Sequence, residues 1–198
     1  PDGLPGQTAE SAAEAGIAVI AADSVPAKEV TIAQAADLVL APTTYEFQAD
    51  EGFATEKDLA AAGAVPYIAA GGCKDRRTSR SVQDTLTDLE TLGAVFGVTD
   101  RAQELAADYR GRLDEVATAV GGATPVRVAE VFVWGSDIQS LAGSSNVDLV
   151  KAAGGQNIFA NDDPRFGGMM FASLSPEVLA AQAPEAFVFS ADSAESAE

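Results

Sequence analysis

A chain of 198 residues, 47% of them hydrophobic at a mean hydropathy of +0.08, can bury a core in one large or two small domains and is globular rather than disordered. Its 30 acidic against 12 basic residues, a net charge of −18, argue against nucleic acid or anionic membrane as a partner, because both demand clustered Lys and Arg. The lack of histidine and the single cysteine, Cys73, exclude His-ligated zinc, Ser-His-Asp triads, Cys-His dyads and an internal disulfide. No apolar run approaches the roughly 20 residues that a membrane span requires, and any targeting segment is expected upstream of Pro1.

Short apolar runs followed by Gly, Pro or Ser clusters alternate with helical patterns, the mark of a mostly parallel α/β fold. In chain order the strands are predicted at Ile17 to Ala21, Leu38 to Ala41, Val65 to Ala69, Val126 to Val133 and Ala186 to Phe189. Helices are predicted near 28 to 36, 54 to 62, 80 to 96, 146 to 153 and 175 to 182. Residues 100 to 120 form the longest amphipathic pattern, with Asp100 as a possible N-cap and Leu105, Tyr109, Leu113 and Val116 at helical spacing. "GGATP", residues 121 to 125, ends that helix, and "AAGGQNIFA", residues 152 to 160, reads as a helix C-cap rather than a dinucleotide loop, because its glycines follow a helix instead of opening one. Only two strands are predicted beyond the long helix, so the second α/β unit reads as incomplete, with residues expected beyond both ends of the chain.

One phrase occurs twice. "KEVTIAQAADLVLA", residues 28 to 41, is echoed without a gap by "PEVLAAQAPEAFVF", residues 176 to 189, so that Glu29-Val30 falls on Glu177-Val178 and Ala33-Gln34-Ala35 on Ala181-Gln182-Ala183. A helix-to-strand unit is expected at both places.

The loops after the predicted strands carry the candidate binding chemistry. In "TTYEF", Tyr45 and Phe47 can stack on a planar ligand while Glu46 accepts hydrogen bonds, with one aromatic free to pack inward. In "GGCKDRR", Lys74, Arg76 and Arg77 form the densest basic cluster of an acidic chain, after glycines that leave backbone N–H groups open; a solvated surface loop is the competing reading. Cys73 is an inert small residue, having no His to activate it. Trp134 ends a strand and leads to Asp137, a position suited to a ligand as well as to a core. Arg165, Phe166 and Met169 in "DDPRFGGMMF" suit an apolar, partly anionic ligand or else a hydrophobic plug.

Five segments, "PAKEVTIAQAADLVLAP", "LAAAGAVPYIAAGGC", "VQDTLTDLETLGAVFGVTDRAQELAADYRGRLDEV", "VDLVKAAGGQNIFA" and "SLSPEVLAAQAPEAFVF", together resemble the substrate-binding proteins of ABC importers for metal chelates. The resemblance implies an α/β fold of the class III periplasmic-binding-protein type, with two Rossmann-like lobes joined by a long helix and the second lobe incomplete. It divides the chain into an N-terminal lobe, 1–99, a linking helix, 100–121, and a partial C-terminal lobe, 122–198. It further implies a monomeric, non-enzymatic, extracytoplasmic protein, cell-surface lipoprotein or periplasmic. Such a protein would carry a siderophore, haem or cobalamin, with an iron siderophore foremost, to an ABC permease and its ATPase. No cofactor or protein-bound metal is implied.

In that family one exposed Glu near the start of a helix on each lobe meets permease arginines, and the matching positions are Glu29 and Glu177. A first-turn Glu also complements the helix dipole by about 0.3–1 kcal/mol whatever its other role. Two other readings stay open at this stage. One is a chelatase or nitrogenase-like component on a related fold, which the lack of His and of several Cys disfavours. The other is a binding protein for a non-chelate solute.

Overall fold

A computed structural model describes residues 16–21, 24–73, 81–134, 137–141, 145–159 and 171–191. The chain forms two compact units, Pro1–Ile68 and Ala69–Glu198.

In the first unit, helix α1 (Lys28–Ala33) leads into strand β1 (Leu38–Ala41), and helix α2 (Glu56–Ala61) into strand β2 (Val65–Ile68). β1 and β2 pair in parallel, with Leu38 opposite Val65 and Ala41 opposite Ile68. α2 begins with a capping box, because the Thr55 hydroxyl accepts from Asp58 N while the Asp58 carboxylate accepts from Thr55 N. The core gathers Ala41, Phe47, Ala54, Leu59 and Ala64, with Ile32, Val39 and Ile68 packed on it. Small residues in that list let α2 lie close to the two strands.

In the second unit, helices α3 (Val82–Val95) and α4 (Thr99–Val120) run back to back, followed by strand β3 (Val126–Trp134), strand β4 (Asp137–Leu141), helix α5 (Ser145–Ala152), strand β5 (Gly155–Asn157), strand β6 (Phe171–Leu174), helix α6 (Pro176–Ala181) and strand β7 (Ala186–Ala191). α3 and α4 approach closely because Gly93 faces Ala102, where a Cβ on Gly93 would collide with the alanine Cβ. Ala106, fully buried on the same face of α4, extends the contact. Arg110 closes the helix pair with a two-pronged bond to Glu90, at 2.9 and 3.0 Å, which holds the Glu90 carboxyl below its ordinary range.

β3 organises the sheet. β7 lies parallel along one stretch of it, from Val128 opposite Ala186 to Val133 opposite Ala191. β5 pairs in parallel with Val126 to Val128, and β4 turns back antiparallel along Val131 to Trp134. β6 then adds antiparallel to β4. Ala129, Val131, Phe159 and Leu174 form the core on one face, supported by Ile138, Ile158, Ala172 and Leu179. Val128 on the opposite face meets the α5–β5 junction, and Glu130, on Val128's side of the strand, is 1% exposed.

The α/β class and all six helices that were expected are observed. Three expectations need correction. Residues 17–21 form no strand; Ile17, Val19 and Ile20 stay exposed, with no neighbouring strand among the described residues to complete their hydrogen bonds. Among the described residues the second unit has five strands, not two, in a mixed sheet, because β4, β5 and β6 are short or polar and are made by pairing with β3 and β4 rather than by their own apolar pattern. Asp100 is not the N-cap of α4: the helix starts at Thr99 after an uncapped Val98, and Asp100 sits within the first turn. The C-cap reading of "AAGG" holds, with Gly154 in the left-handed region at φ 82° and its N–H donating to Lys151 O.

Candidate functional site

The two copies of the repeated phrase adopt the same local structure. α1 and α6, like β1 and the first four residues of β7, stand in register at the offset set by the aligned sequences. Each helix ends on a glutamine, Gln34 or Gln182, in the right-handed region. Each is followed by an alanine forced into the left-handed region, Ala35 at φ 47° and Ala183 at φ 44°. A non-glycine residue there is strained by Cβ contacts, so the same strained turn is built twice.

Glu29 and Glu177 both occupy the second position of their helices and both are exposed. The carboxyl of Glu177 is lowered from its ordinary value by its own backbone N–H and by the Ser175 hydroxyl. Ser175 also caps α6 by accepting from Val178 N at 3.3 Å. α1 has no side-chain cap. It is held instead by Lys28, whose N–H donates to Gly52 O at 3.0 Å and whose Nζ meets Asp58 at 2.7 Å. That ammonium bond is the main reason the Asp58 carboxyl falls to about 2, with Thr55 contributing next.

The loop after β1 is folded by its own side chains. The Thr43 N–H and hydroxyl both donate to one oxygen of Glu46, at 3.1 and 2.7 Å, and Tyr45 N donates to the Thr43 hydroxyl. Glu46 thereby shapes the loop with Oε2. Phe47 is buried in the core of the first unit, while Tyr45 is 42% exposed and packs edge-on against Phe53 at 5.5 Å. Partial burial, with the carboxylates of Glu51 and Glu46 adding to it, raises the Tyr45 phenol and keeps it a neutral donor. A cavity of about 380 Å3 opens in this unit along β1, lined by Leu38, Leu40, Thr31, Gln34, Glu46 and Phe47 among others.

At the start of the second unit Ala70 N donates to Asp88 at 2.9 Å, fixing a single turn at Ala70–Gly72 just before the half-buried Cys73. Lys74, Arg76, Arg77, Arg165, Phe166 and Met169 lie outside the described residues. The hairpin register sets Trp134 opposite Asp137, so those two positions are brought together at one end of the sheet. One link was not anticipated: Asp148 in the first turn of α5 accepts from Ser81 Oγ at 3.0 Å and from Val82 N at 2.7 Å, so a carboxylate on one helix caps the start of another. The Ser81–Asp84 capping signal was readable in the sequence, but its long-range partner has no local signature.

No helix among the described residues is long and apolar enough to cross a membrane. No curated protein matches the chain. Among solved structures, a periplasmic binding protein from Veillonella parvula superposes with a TM-score of 0.74 at 20% identity, over 90% of this chain and 57% of that one. An ABC-type Fe3+-hydroxamate transport system protein from Saccharomonospora viridis gives 0.66 at 24%, over 94% and 63%. A periplasmic heme-binding protein from Pseudomonas aeruginosa gives 0.62 at 23%, over 84% and 55%. The chain thus spans between half and two thirds of the length of these proteins, and at such identities the likeness is one of fold. The family model for periplasmic binding proteins matches residues 35–198, and with the α/β fold and the repeated helix–strand unit this establishes that the chain belongs to the periplasmic binding protein family.

Proposed function

We propose that this chain acts as an extracytoplasmic solute-binding component that captures a metal chelate, an iron siderophore foremost, and hands it to an ABC permease with its ATPase. The observation that carries the reading is the family match over residues 35–198 together with the same Glu-bearing helix–strand unit formed twice. Solved proteins of this fold described as binding heme or serving Fe3+-hydroxamate transport support a chelate as the class of solute. In this reading residues 1–99 and 122–198 belong to two lobes and 100–121 link them, and the protein is periplasmic or a cell-surface lipoprotein.

Lys74, Arg76, Arg77 and Arg165 would neutralise an anionic chelate. Tyr45, Trp134, Phe166 and Met169 would pack on its apolar parts, with Asp137 at the rim. Glu46 and Phe47 serve the site from beneath, the one by folding the Thr43–Phe47 loop and the other by anchoring it in the core. Glu29 and Glu177 would dock on permease arginines. Titration of the full-length protein with ferric desferrioxamine, haemin and cyanocobalamin tests the assignment. Saturable binding of one of them is expected, and failure to bind any would end the chelate reading.

A further inference from the structure

We propose that each docking patch is a composite of charge and apolar surface, Glu29–Val30–Ala33 on α1 and Glu177–Val178–Ala181 on α6, and that its partner presents a cation beside a shallow apolar pocket at two equivalent places. The proposal rests on the docking reading of Glu29 and Glu177 given above.

The argument comes from what the two copies keep and what they change. At the two positions between, the repeat has diverged: Thr31 is matched by Leu179, which packs on the core of the second unit, and Ile32, which packs on the core of the first, by the exposed Ala180. Each copy has adapted to the core beneath it. At three exposed positions it has not diverged, since Glu, Val and Ala stand at the same places on both helices. All six of these residues are exposed, and the two valines are exposed to the same degree, 40% for Val30 and 41% for Val178.

Neither helix buries any residue, so packing within the chain does not demand a valine at these positions. Valine is also a mediocre helix former. A lone exposed valine needs no explanation, but the same valine beside the same glutamate on two helices that sit on different cores points to a shared requirement imposed from outside. The alanine lies four residues from the Glu and three from the Val, so it neighbours both and joins them into one patch while leaving room for a partner's backbone to come close. A carboxylate flanked by a branched apolar side chain fits a guanidinium whose aliphatic stem or neighbour lines a pocket, and water exclusion by the valine strengthens that charge pair.

The test uses full-length protein and a metal-chelate importer permease dimer held in lipid nanodiscs, with binding followed by surface plasmon resonance at low and high salt. Val30→Ser and Val178→Ser should each weaken association by about three- to tenfold, the effect of removing a half-exposed valine from an apolar contact. That loss should persist at high salt, whereas the loss caused by Glu29→Gln or Glu177→Gln should shrink there. Val30→Ile and Val178→Ile should retain binding, and chelate affinity and melting temperature should stay at the parent values in every variant. Parent-like association of the serine variants, with the glutamine variants impaired, would overturn the composite patch and leave the docking reading standing. Parent-like association of the glutamine variants as well would remove the docking reading and the patch together.

Discussion

The same fourteen-residue phrase is anchored in two different ways. α1 is fixed at its beginning, where Lys28 ties the first turn to Gly52 and Asp58. α6 is fixed at both ends, by the Ser175 cap at the start and by Arg127 at the finish. The Arg127 guanidinium reaches the Gln182 carbonyl at 2.6 Å, its backbone N–H donates to the Glu185 carboxylate at 2.9 Å, and its carbonyl accepts from Glu185 N at 2.8 Å. A cation at a helix C-terminus also opposes the negative end of the dipole. A helix of six residues has little stability of its own in water, so its direction is set by such anchors rather than by its propensity. Two unlike sets of anchors present one outward face, which teaches that the face is the invariant and the fixing is local improvisation.

Four experiments would break or sharpen that comparison. The largest effect is expected from charge reversal of both glutamates, Glu29→Lys with Glu177→Lys: delivery of chelate to the permease should fall by about two orders of magnitude, as for paired charges turned repulsive at an interface, while chelate affinity measured by titration stays constant. A drop in chelate affinity would instead assign these residues to the binding cleft. Next, Arg127→Ala should destabilise the protein by about 1 kcal/mol in urea unfolding, the low end for a charge-assisted bond on an exposed side chain, and should speed amide exchange in α6 but not in α1. Unchanged exchange in α6 would mean that the Ser175 cap alone suffices.

Smaller still are Ala35→Gly and Ala183→Gly. Both alanines hold a positive φ, so glycine should relieve strain at each and stabilise by about 0.5–1 kcal/mol, nearly equally in the two copies. Unequal gains would show that the two turns are not equivalent. The finest effect is on titration. Asp58 sits at about 2 against an ordinary value of 3.8, because it accepts from Lys28. A carboxyl lowered in the folded state contributes stability that is present above its unfolded value and is lost as pH falls toward about 2. Lys28→Met should move the Asp58 titration, followed by carbon-detected NMR, up toward the ordinary value and shift acid unfolding to higher pH. Glu177 should titrate as in the parent.

Much of this architecture was legible in the sequence, and the reason is periodicity. The helices announce themselves through apolar spacing and through Ser81, Thr55 and Gly154 at their ends. β1, β2 and the first four residues of β7 are apolar runs, and β3 is apolar apart from Arg127 and Glu130. β4, β5 and β6 are not: "GQN" is a strand only because Val126 to Val128 pair with it, and "DIQSL" only because it folds back on β3. The loop at Thr43–Phe47 was half legible. Tyr45 and Phe47 are the same kind of residue two positions apart, and no local rule says which turns inward; the short helical turn at Tyr45–Phe47 decides it, burying Phe47 and leaving Tyr45 outside. Glu46 was read as an acceptor, which it is, but its acceptor oxygen serves Thr43 of its own loop. Asp148 capping the start of α3 could not be read at all, since nothing local in the sequence joins the two helices.

The way β3 collects its partners has a kinetic consequence. β4 follows β3 at once, so their hairpin can close in microseconds, whereas β5 and finally β7 must return from progressively farther along the chain. α6 lies just before β7, and its C-terminal clamp is Arg127 at the foot of β3. The second glutamate patch therefore takes its final direction only when the last strand has docked. Under the docking reading proposed above, a partly folded chain would display one patch and not the other, and engagement that needs both would follow only after folding is finished.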